Sequence, residues 1–347
     1  MAKGIVGLDI GRDTIRAVEI EGADKARPVV VRYAEVSVPE GAVRSGEVRE
    51  IHTVAVAIRN LWSTGGFKSK NVVIGVGNQR VLARDLTVPR MGLEQIRESL
   101  PFQVQEMLPV PVADALLDFY PISEAETENG PVVHGLLIAA IKHSVEANVS
   151  AVRQAGLTPA QVDLIPFALT RVLSRGVETA GTIALIDVGA STTNVVISED
   201  GVPKFVRMIP TGGEDITSAL VERLEVSPQQ AEAAKRARGL SNAPTSSDSE
   251  RAVAEVIHTK VGELLNSLRN TLNYYMNTHN TTVQAVVLSG GGSQLAGLAQ
   301  ALGEITRIQI VASDPFATVD LAKSASKANV DAKSMTVALG LALGSAA

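Results

Sequence analysis

The strongest constraint on this chain is a turn pattern that it carries twice. Ile5-Val6-Gly7-Leu8-Asp9-Ile10-Gly11-Arg12-Asp13-Thr14 recurs as Ala184-Leu185-Ile186-Asp187-Val188-Gly189-Ala190-Ser191-Thr192. Each copy is an apolar run, then Asp, one apolar residue, Gly, and a polar or small turn. A second apolar run follows each, Ile15–Ile20 in the first case and Asn194–Ser198 in the second. The pattern predicts a β-hairpin with Asp and Gly at its bend. Asp can organise a hydrated Mg²⁺, and Gly lets the backbone N–H groups of the turn approach phosphate oxygens. A single Asp-x-Gly turn is common and is usually only a turn. Two, one per half of the chain, predict two facing lobes around one nucleotide.

Composition removes several alternatives. The 347 residues suffice for about two domains. Aromatic residues make up only 3%, so the core must be built from Val, Leu, Ile and Ala. A net charge of −5 without a long basic run argues against nucleic acid as a partner. With no Cys there is no disulfide, thiolate catalysis or Cys-based metal site. His52, His134, His143, His258 and His279 show no i,i+4 pairing, so a His-rich metal site is not expected. The apolar runs Leu136–Ile141 and Val337–Gly344 are far short of the ~20 residues that span a bilayer. No signal-peptide pattern opens the chain. A cytoplasmic, soluble protein is the expectation.

Periodicity predicts strands at 4–10, 14–20 and 28–37, a helix at 47–64, and strands at 72–76 and 81–88. Beyond Pro89 come a helix at 93–107 interrupted by Pro101, strands at 116–122 and 132–141 around an acidic turn, Glu124–Gly130, and a helix at 144–155. Residues 86–163 read as a compact α/β insertion. A helix at 166–175, the second hairpin at 183–199 and a strand at 202–209 follow. Helices are predicted to open at Thr211–Ile216, near 228–238, over 250–278 and over 336–344, with 319–336 irregular and exposed.

Three further motifs carry chemistry. Gly212-Gly213 precedes a helix, Glu232 and Lys235 are three apart on one helix face, and Gly290-Gly291-Gly292-Ser293 follows a buried strand. Singly, each is more often a turn or a solvated ion pair. Their order in the chain gives them weight.

That order resembles the actin-like ATPase superfamily, which includes actin, the heat-shock chaperone ATPases, MreB, FtsA and the sugar kinases. Its fold is α/β, two ribonuclease H-like lobes, here with an FtsA-type inserted small subdomain. Val88-Pro89-Arg90-Met91, Leu108-Pro109-Val110-Pro111, Ile138–Lys142 and Ala155–Pro159 running into Val162-Asp163 are similar to the PilM family of type IV pilus assembly components. The resemblance implies a first lobe of 1–85, 164–182 and 337–347, and a partner-binding insertion of 86–163. It implies a second lobe of 183–225 and 283–336, with a helical nucleotide-contacting subdomain at 226–282. The cofactors it implies are ATP and Mg²⁺. Asp9 and Asp187 would organise the metal; Gly11, Arg12 and Asp13 would form the first phosphate loop, and Gly189, Ser191 and Thr192 the second. Gly212 and Gly213 would meet ribose and phosphate, Glu232 and Lys235 the nucleoside, and Gly290, Gly291, Gly292 and Ser293 the adenosine. The implied partner is the cytoplasmic N-terminal tail of the membrane protein PilN, within the inner-membrane pilus assembly complex. The protein would reach the inner face of the membrane only through that partner, and self-association is left open.

Two departures stand out. Asp13 sits where a small hydroxyl residue is usual, and Ile165 occupies the position where efficient members carry a Glu or Gln that orients water. Asp163 is a poor substitute. A side chain that cannot hydrogen-bond water cannot serve as base or orienter, so at most slow hydrolysis is expected. An FtsA-like division protein is the alternative, weakened because Gly344-Ser345-Ala346-Ala347 carries no amphipathic tail. A small-molecule kinase is weaker still, because no general-base Asp stands out.

Overall fold

The fold is described for residues 4–174, 181–241, 243–325 and 331–344 of a computed structural model. Arg175, part of the 319–336 stretch and the tail 345–347 lie outside the described residues. The chain opens with β1 (Ile5–Ile10), β2 (Thr14–Glu21) and β3 (Val29–Ser37), an antiparallel meander. A small hairpin, β4 (Val43–Arg44) and β5 (Glu47–Val48), leads into α1 (Ile51–Gly65), and β6 (Asn71–Val76) returns parallel to β1. The next elements are β7 (Val81–Pro89), α2 (Leu93–Gln103), β8 (Ala115–Thr127), β9 (Gly130–Ile141), α3 (Lys142–Gln154), β10 (Thr158–Leu164) and α4 (Ile165–Leu173). The second meander is β11 (Thr182–Val188), β12 (Thr193–Glu199) and β13 (Val202–Ile209), followed by α5 (Gly213–Leu224), α6 (Pro228–Arg238) and α7 (Asp248–His279). Last come β14 (Ala285–Ser289), α8 (Leu298–Thr306), β15 (Gln309–Ala312), β16 (Asp320–Leu321) and α9 (Thr336–Leu343).

The duplication seen at the turns extends to whole sheets. One has the order β10-β6-β1-β2-β3, with β16 added at its edge, and the other β15-β14-β11-β12-β13. In each, an antiparallel meander is extended by parallel strands on the side of its first strand, so Asp9 and Asp187 occupy equivalent ends of central strands.

Helices α4 and α9 lie between the sheets. They share a core with Val18 and Val73 of one sheet and Leu185, Val196 and Val287 of the other. Every residue of α9 is buried, which is why its sequence, Thr336 to Leu343, is apolar on all sides. Gly340 permits the close approach, since a Cβ there would lie 2.1 Å from the Ala168 carbonyl oxygen of α4. Arg171 fastens the pair by donating from Nε to the Gly340 carbonyl at 2.9 Å. The outer faces are covered by α1 and α3 on the first sheet (Leu8, Ile15, Ile58, Leu61, Ala151) and by α5, α7 and α8 on the second. The α7 stripe of Val253, Val261, Leu264, Leu265, Leu268, Leu272 and Tyr275 is core, with Ile257 and Thr271 added and Val256 only half-buried. Each fully buried large apolar side chain is worth about 1.5–3 kcal/mol.

The insertion is smaller than the expected 86–163. It is a three-stranded sheet in the order β7-β9-β8 with α2 packed on β8, around Val88, Ile96, Leu100, Phe119 and Leu137. Helix α3 packs on α1, and β10 pairs with β6, so both belong to the first lobe. The misassignment has a physical origin: β10 is an exposed edge strand, and its polar sequence lacks a buried strand's apolar run. The acidic turn at Glu124–Gly130 is likewise mostly strand, because β8 runs to Thr127 along the sheet edge, where charge blunts unwanted pairing. Two other corrections concern the C-terminal half. β15 was not anticipated. The stretch after Ser313, expected in the second lobe, returns to the first: β16 pairs with β3, and buried Phe316 stacks on Tyr33 at 5.3 Å. Val319, Ala325 and Met335, in the stretch expected to be exposed, are buried.

Candidate functional site

The two hairpin turns close in the same way. Gly11 N–H donates to the Thr14 carbonyl at 3.1 Å, and Gly189 N–H to the Thr192 carbonyl at 3.0 Å. A Cβ would lie 2.7 Å from the carbonyl oxygen in the first turn and 2.8 Å in the second, so both turns demand glycine. Helix α5 is stitched onto the second turn, with Gly213 N–H bonded to the Gly189 carbonyl at 3.0 Å and Glu214 N–H to the Ala190 carbonyl at 2.8 Å. Its first residue faces the triple-glycine segment: a Cβ on Gly213 would lie 3.9 Å from Gly292 Cα and 3.6 Å from Lys235 Nζ. The second turn, the start of α5, α6 and the segment after β14 therefore converge on one point. The triple glycine itself forms a 3₁₀ turn, Gly291–Gln294, closed by Ser293 Oγ donating to the Gly290 carbonyl at 2.6 Å.

Asp9 and Asp187 lie at the C-terminal ends of β1 and β11. Burial raises the Asp9 carboxyl above its ordinary range, and Arg16 opposes the rise. Asp187 is pushed up to about 6, first by burial and then by the negative charge of Asp9, against a hydrogen bond from Ser289 and the charge of Arg16. A buried carboxylate and a largely buried one that repel each other fit a divalent cation, which would relieve the repulsion. Among the described residues no group of three or more His, Cys, Asp and Glu gathers to cage an ion. Two carboxylates suit Mg²⁺, which keeps several waters and takes other ligands from phosphates. Such an ion would supply charge neutralisation between the carboxylates and a polyphosphate.

The other expected residues divide. Asp13 turns outward, with its side chain 62% exposed, which removes the repulsion a carboxylate in this turn would cause. Arg12 forms an ion pair with Glu214 of the opposite lobe. Glu232 and Lys235 pair with each other rather than presenting their charges outward. Lys235 Nζ donates to the Gly213 carbonyl and Thr217 Oγ1, both at 2.9 Å, and pairs with Glu232, so its three donors are taken. Burial opposes ionisation of Glu232, but hydrogen bonds from Lys235, Arg236 and Thr217 outweigh it and draw the carboxyl down to about 2. The pair thus props α6 against the first turn of α5. Ser191 and Thr192 lie in the second turn, Gly212 caps α5, and Gly290 sits against Val188.

Ile165 opens α4 and lies over the end of β6, its Cβ 2.7 Å from where a Cβ on Gly77 would stand. Asp163 is committed elsewhere: its carboxylate pairs with Arg171 and accepts the Leu164 N–H at 2.7 Å. Both of its oxygens are engaged, which makes it a poor orienter of water.

Three residues of the site were not anticipated. Arg16 is the cross-strand partner of Asp9, its guanidinium 3.9 Å from the carboxylate. Asn194 stands in the same register opposite Asp187, 4% exposed, with Oδ1 buried and unpaired. Glu214 holds Arg12. Hairpin register alone places positions 16 and 194 beside the two aspartates, because directly opposed residues share a face.

A family profile described as type IV pilus assembly protein PilM matches residues 7–346. A solved structure described as a PilM-PilN type IV pilus biogenesis complex superposes with a TM-score of 0.86 at 27% identity, over 99% of this chain and 98% of that one. The cell division protein FtsA of Bacillus subtilis is 24% identical over 279 residues, which is 73% of this chain but only 62% of that relative's length. MreB5 of Spiroplasma citri bound to AMPPNP shares the fold, with a TM-score of 0.54 at 11% identity over 98% and 95% of the two chains. The architecture is the actin-like ATPase fold. Among the described residues no helix is long and apolar enough to cross a membrane.

Proposed function

Because the chain belongs to the PilM family of type IV pilus assembly proteins, we propose that it is an ATP-binding scaffold of a pilus assembly machine, engaging the cytoplasmic N-terminal tail of a PilN-type membrane protein. The observation that carries the nucleotide part is the pair of Asp-Gly turns, closed by matching hydrogen bonds, with the charge of Asp9 raising the buried Asp187 carboxyl. Mg²⁺ between Asp9 and Asp187 and phosphates on the N–H groups of the two turns would satisfy both features. Hydrolysis is slow in this reading, because Ile165 cannot hydrogen-bond water and Asp163 is engaged by Arg171.

The partner docks where the insertion meets the two lobes. A cavity of about 430 Å³ lies where β8, α4 and the β12–β13 turn meet, lined by Tyr120, Phe167, Arg171, Asp200 and Pro203. Tyr120 and Phe167 stack at 4.7 Å and give the cavity an aromatic wall. Such a groove suits a short peptide with an apolar anchor and polar flanks. The protein then meets the inner membrane through this tail rather than through lipid.

The test is fluorescence anisotropy with a labelled tail peptide, paired with liposome flotation. Tyr120→Ala should weaken peptide binding about tenfold and leave Mg-ATP affinity within twofold. The protein should float only when the tail is anchored to the lipid. Flotation with plain liposomes at physiological salt would defeat this reading and favour an FtsA-like, membrane-binding one.

A further inference from the structure

Arg12 and Glu214 form an ion pair that runs from one lobe to the other. Each end is fixed to a phosphate turn. Arg12 directly follows Gly11 in the first turn, and Glu214 is bound to the second through its N–H on the Ala190 carbonyl. The other carboxylate oxygen of Glu214 accepts from Ser218 Oγ at 2.9 Å, so the acid is held in place on α5. In sequence, Arg12 is the only Lys or Arg among positions 11–13, 189–192 and 211–215. It is therefore the one cation that these segments bring to the gap between the turns; Glu214 holds it from the opposite lobe, and the exposed Asp13 lies 3.8 Å from its Nε.

We propose that Arg12 is a two-partner residue, shared between Glu214 and the terminal phosphate of a nucleoside triphosphate, so that the tie between the lobes depends on which nucleotide the cleft holds. This rests on the nucleotide reading above. A guanidinium is always charged and binds carboxylate and phosphate with the same planar fork, so one can replace the other. A triphosphate draws Arg12 away and leaves Glu214 to repel the phosphates, which opens the tie. A diphosphate lacks the terminal group, and the pair stays closed. Glu214 thereby sets the threshold for triphosphate and makes the lobe contact responsive to it.

The experiment is calorimetric titration of Mg-ATP and Mg-ADP into the full chain and into Glu214→Gln, Arg12→Gln and Arg12→Lys. Glu214→Gln should tighten ATP about tenfold and ADP less than threefold. Arg12→Gln should weaken ATP about tenfold with ADP nearly unmoved, and Arg12→Lys, which keeps the charge without the fork, should fall between. ATP and ADP affinities that move together in these variants, or do not move at all, overturn the exchange while leaving nucleotide binding intact. A wild-type chain that binds neither nucleotide overturns the nucleotide reading and the exchange with it.

Discussion

The two hairpins share backbone, turn hydrogen bond and glycine, yet they hold their aspartates in different company. Asp9 faces the cation Arg16, and Asp187 faces the neutral Asn194. The consequence is electrostatic: Arg16 opposes the rise of both carboxyls but stands directly across from Asp9, whereas Asp187, facing an amide, is pushed up to about 6 by burial and by the charge of Asp9. One fold unit, duplicated, thus sets one carboxylate across from a cation of the protein and the other across from a neutral amide. The second hairpin is the more demanding half of the site, and its loss should cost more.

Substitution breaks this comparison most directly. Asp187→Ala should weaken Mg-ATP by about 100-fold, the order expected when a charged group loses a partner worth about 3 kcal/mol. Asp9→Ala should cost only about tenfold, because Arg16, still held by Glu35 at 3.1 Å, then has one carboxylate fewer and can turn toward phosphate. Equal losses, measured by calorimetry, would mean the two hairpins are electrostatically equivalent.

Acidity sharpens it. A carboxyl raised from 3.8 to about 6 on folding favours the folded state at low pH, and that contribution is lost as pH rises between those values. Without ligand, Asp187→Asn should therefore stabilise the protein at pH 7 by up to about 3 kcal/mol, with no gain at pH 4. Chemical denaturation at the two pH values checks this. Mg-ATP binding should weaken as pH falls through about 6 in the wild type. Making the first hairpin resemble the second, by Arg16→Asn, should move the weakening to higher pH. The smallest effect concerns turnover: wild-type hydrolysis should lie far below the enzyme median of ~10 s⁻¹. Ile165→Gln should raise it only severalfold, since the side chain is pressed on Gly77 and must shift to reach water.

The hairpins, the order of the glycine motifs and the α7 stripe were legible because each is a local pattern: period two, a turn residue, or period 3.6. The edges of the insertion were not, because β10 is a polar edge strand whose partner β6 lies nearly ninety residues earlier, and nothing local announces that pairing. The return of Phe316 and β16 to the first lobe is equally non-local. Within the site, motif positions located Asp9 and Asp187, but not what faces them. Arg16 and Asn194 follow once the hairpin register is drawn. Glu214 does not, since its contact with Arg12 joins residues about two hundred apart in sequence. Glu232 and Lys235 were found at the right spacing, yet the spacing could not tell that Thr217 and Gly213 would occupy them.

The central claim, that one metal–nucleotide site lies between the duplicated turns, is tested most directly by anomalous scattering from crystals grown with Mn²⁺ and AMPPNP. The account predicts a single Mn²⁺ peak between the Asp9 and Asp187 carboxylates, with phosphate oxygens on the turns at Gly11 and Gly189. Nucleotide bound elsewhere, or Mn²⁺ away from these two carboxylates, would contradict it.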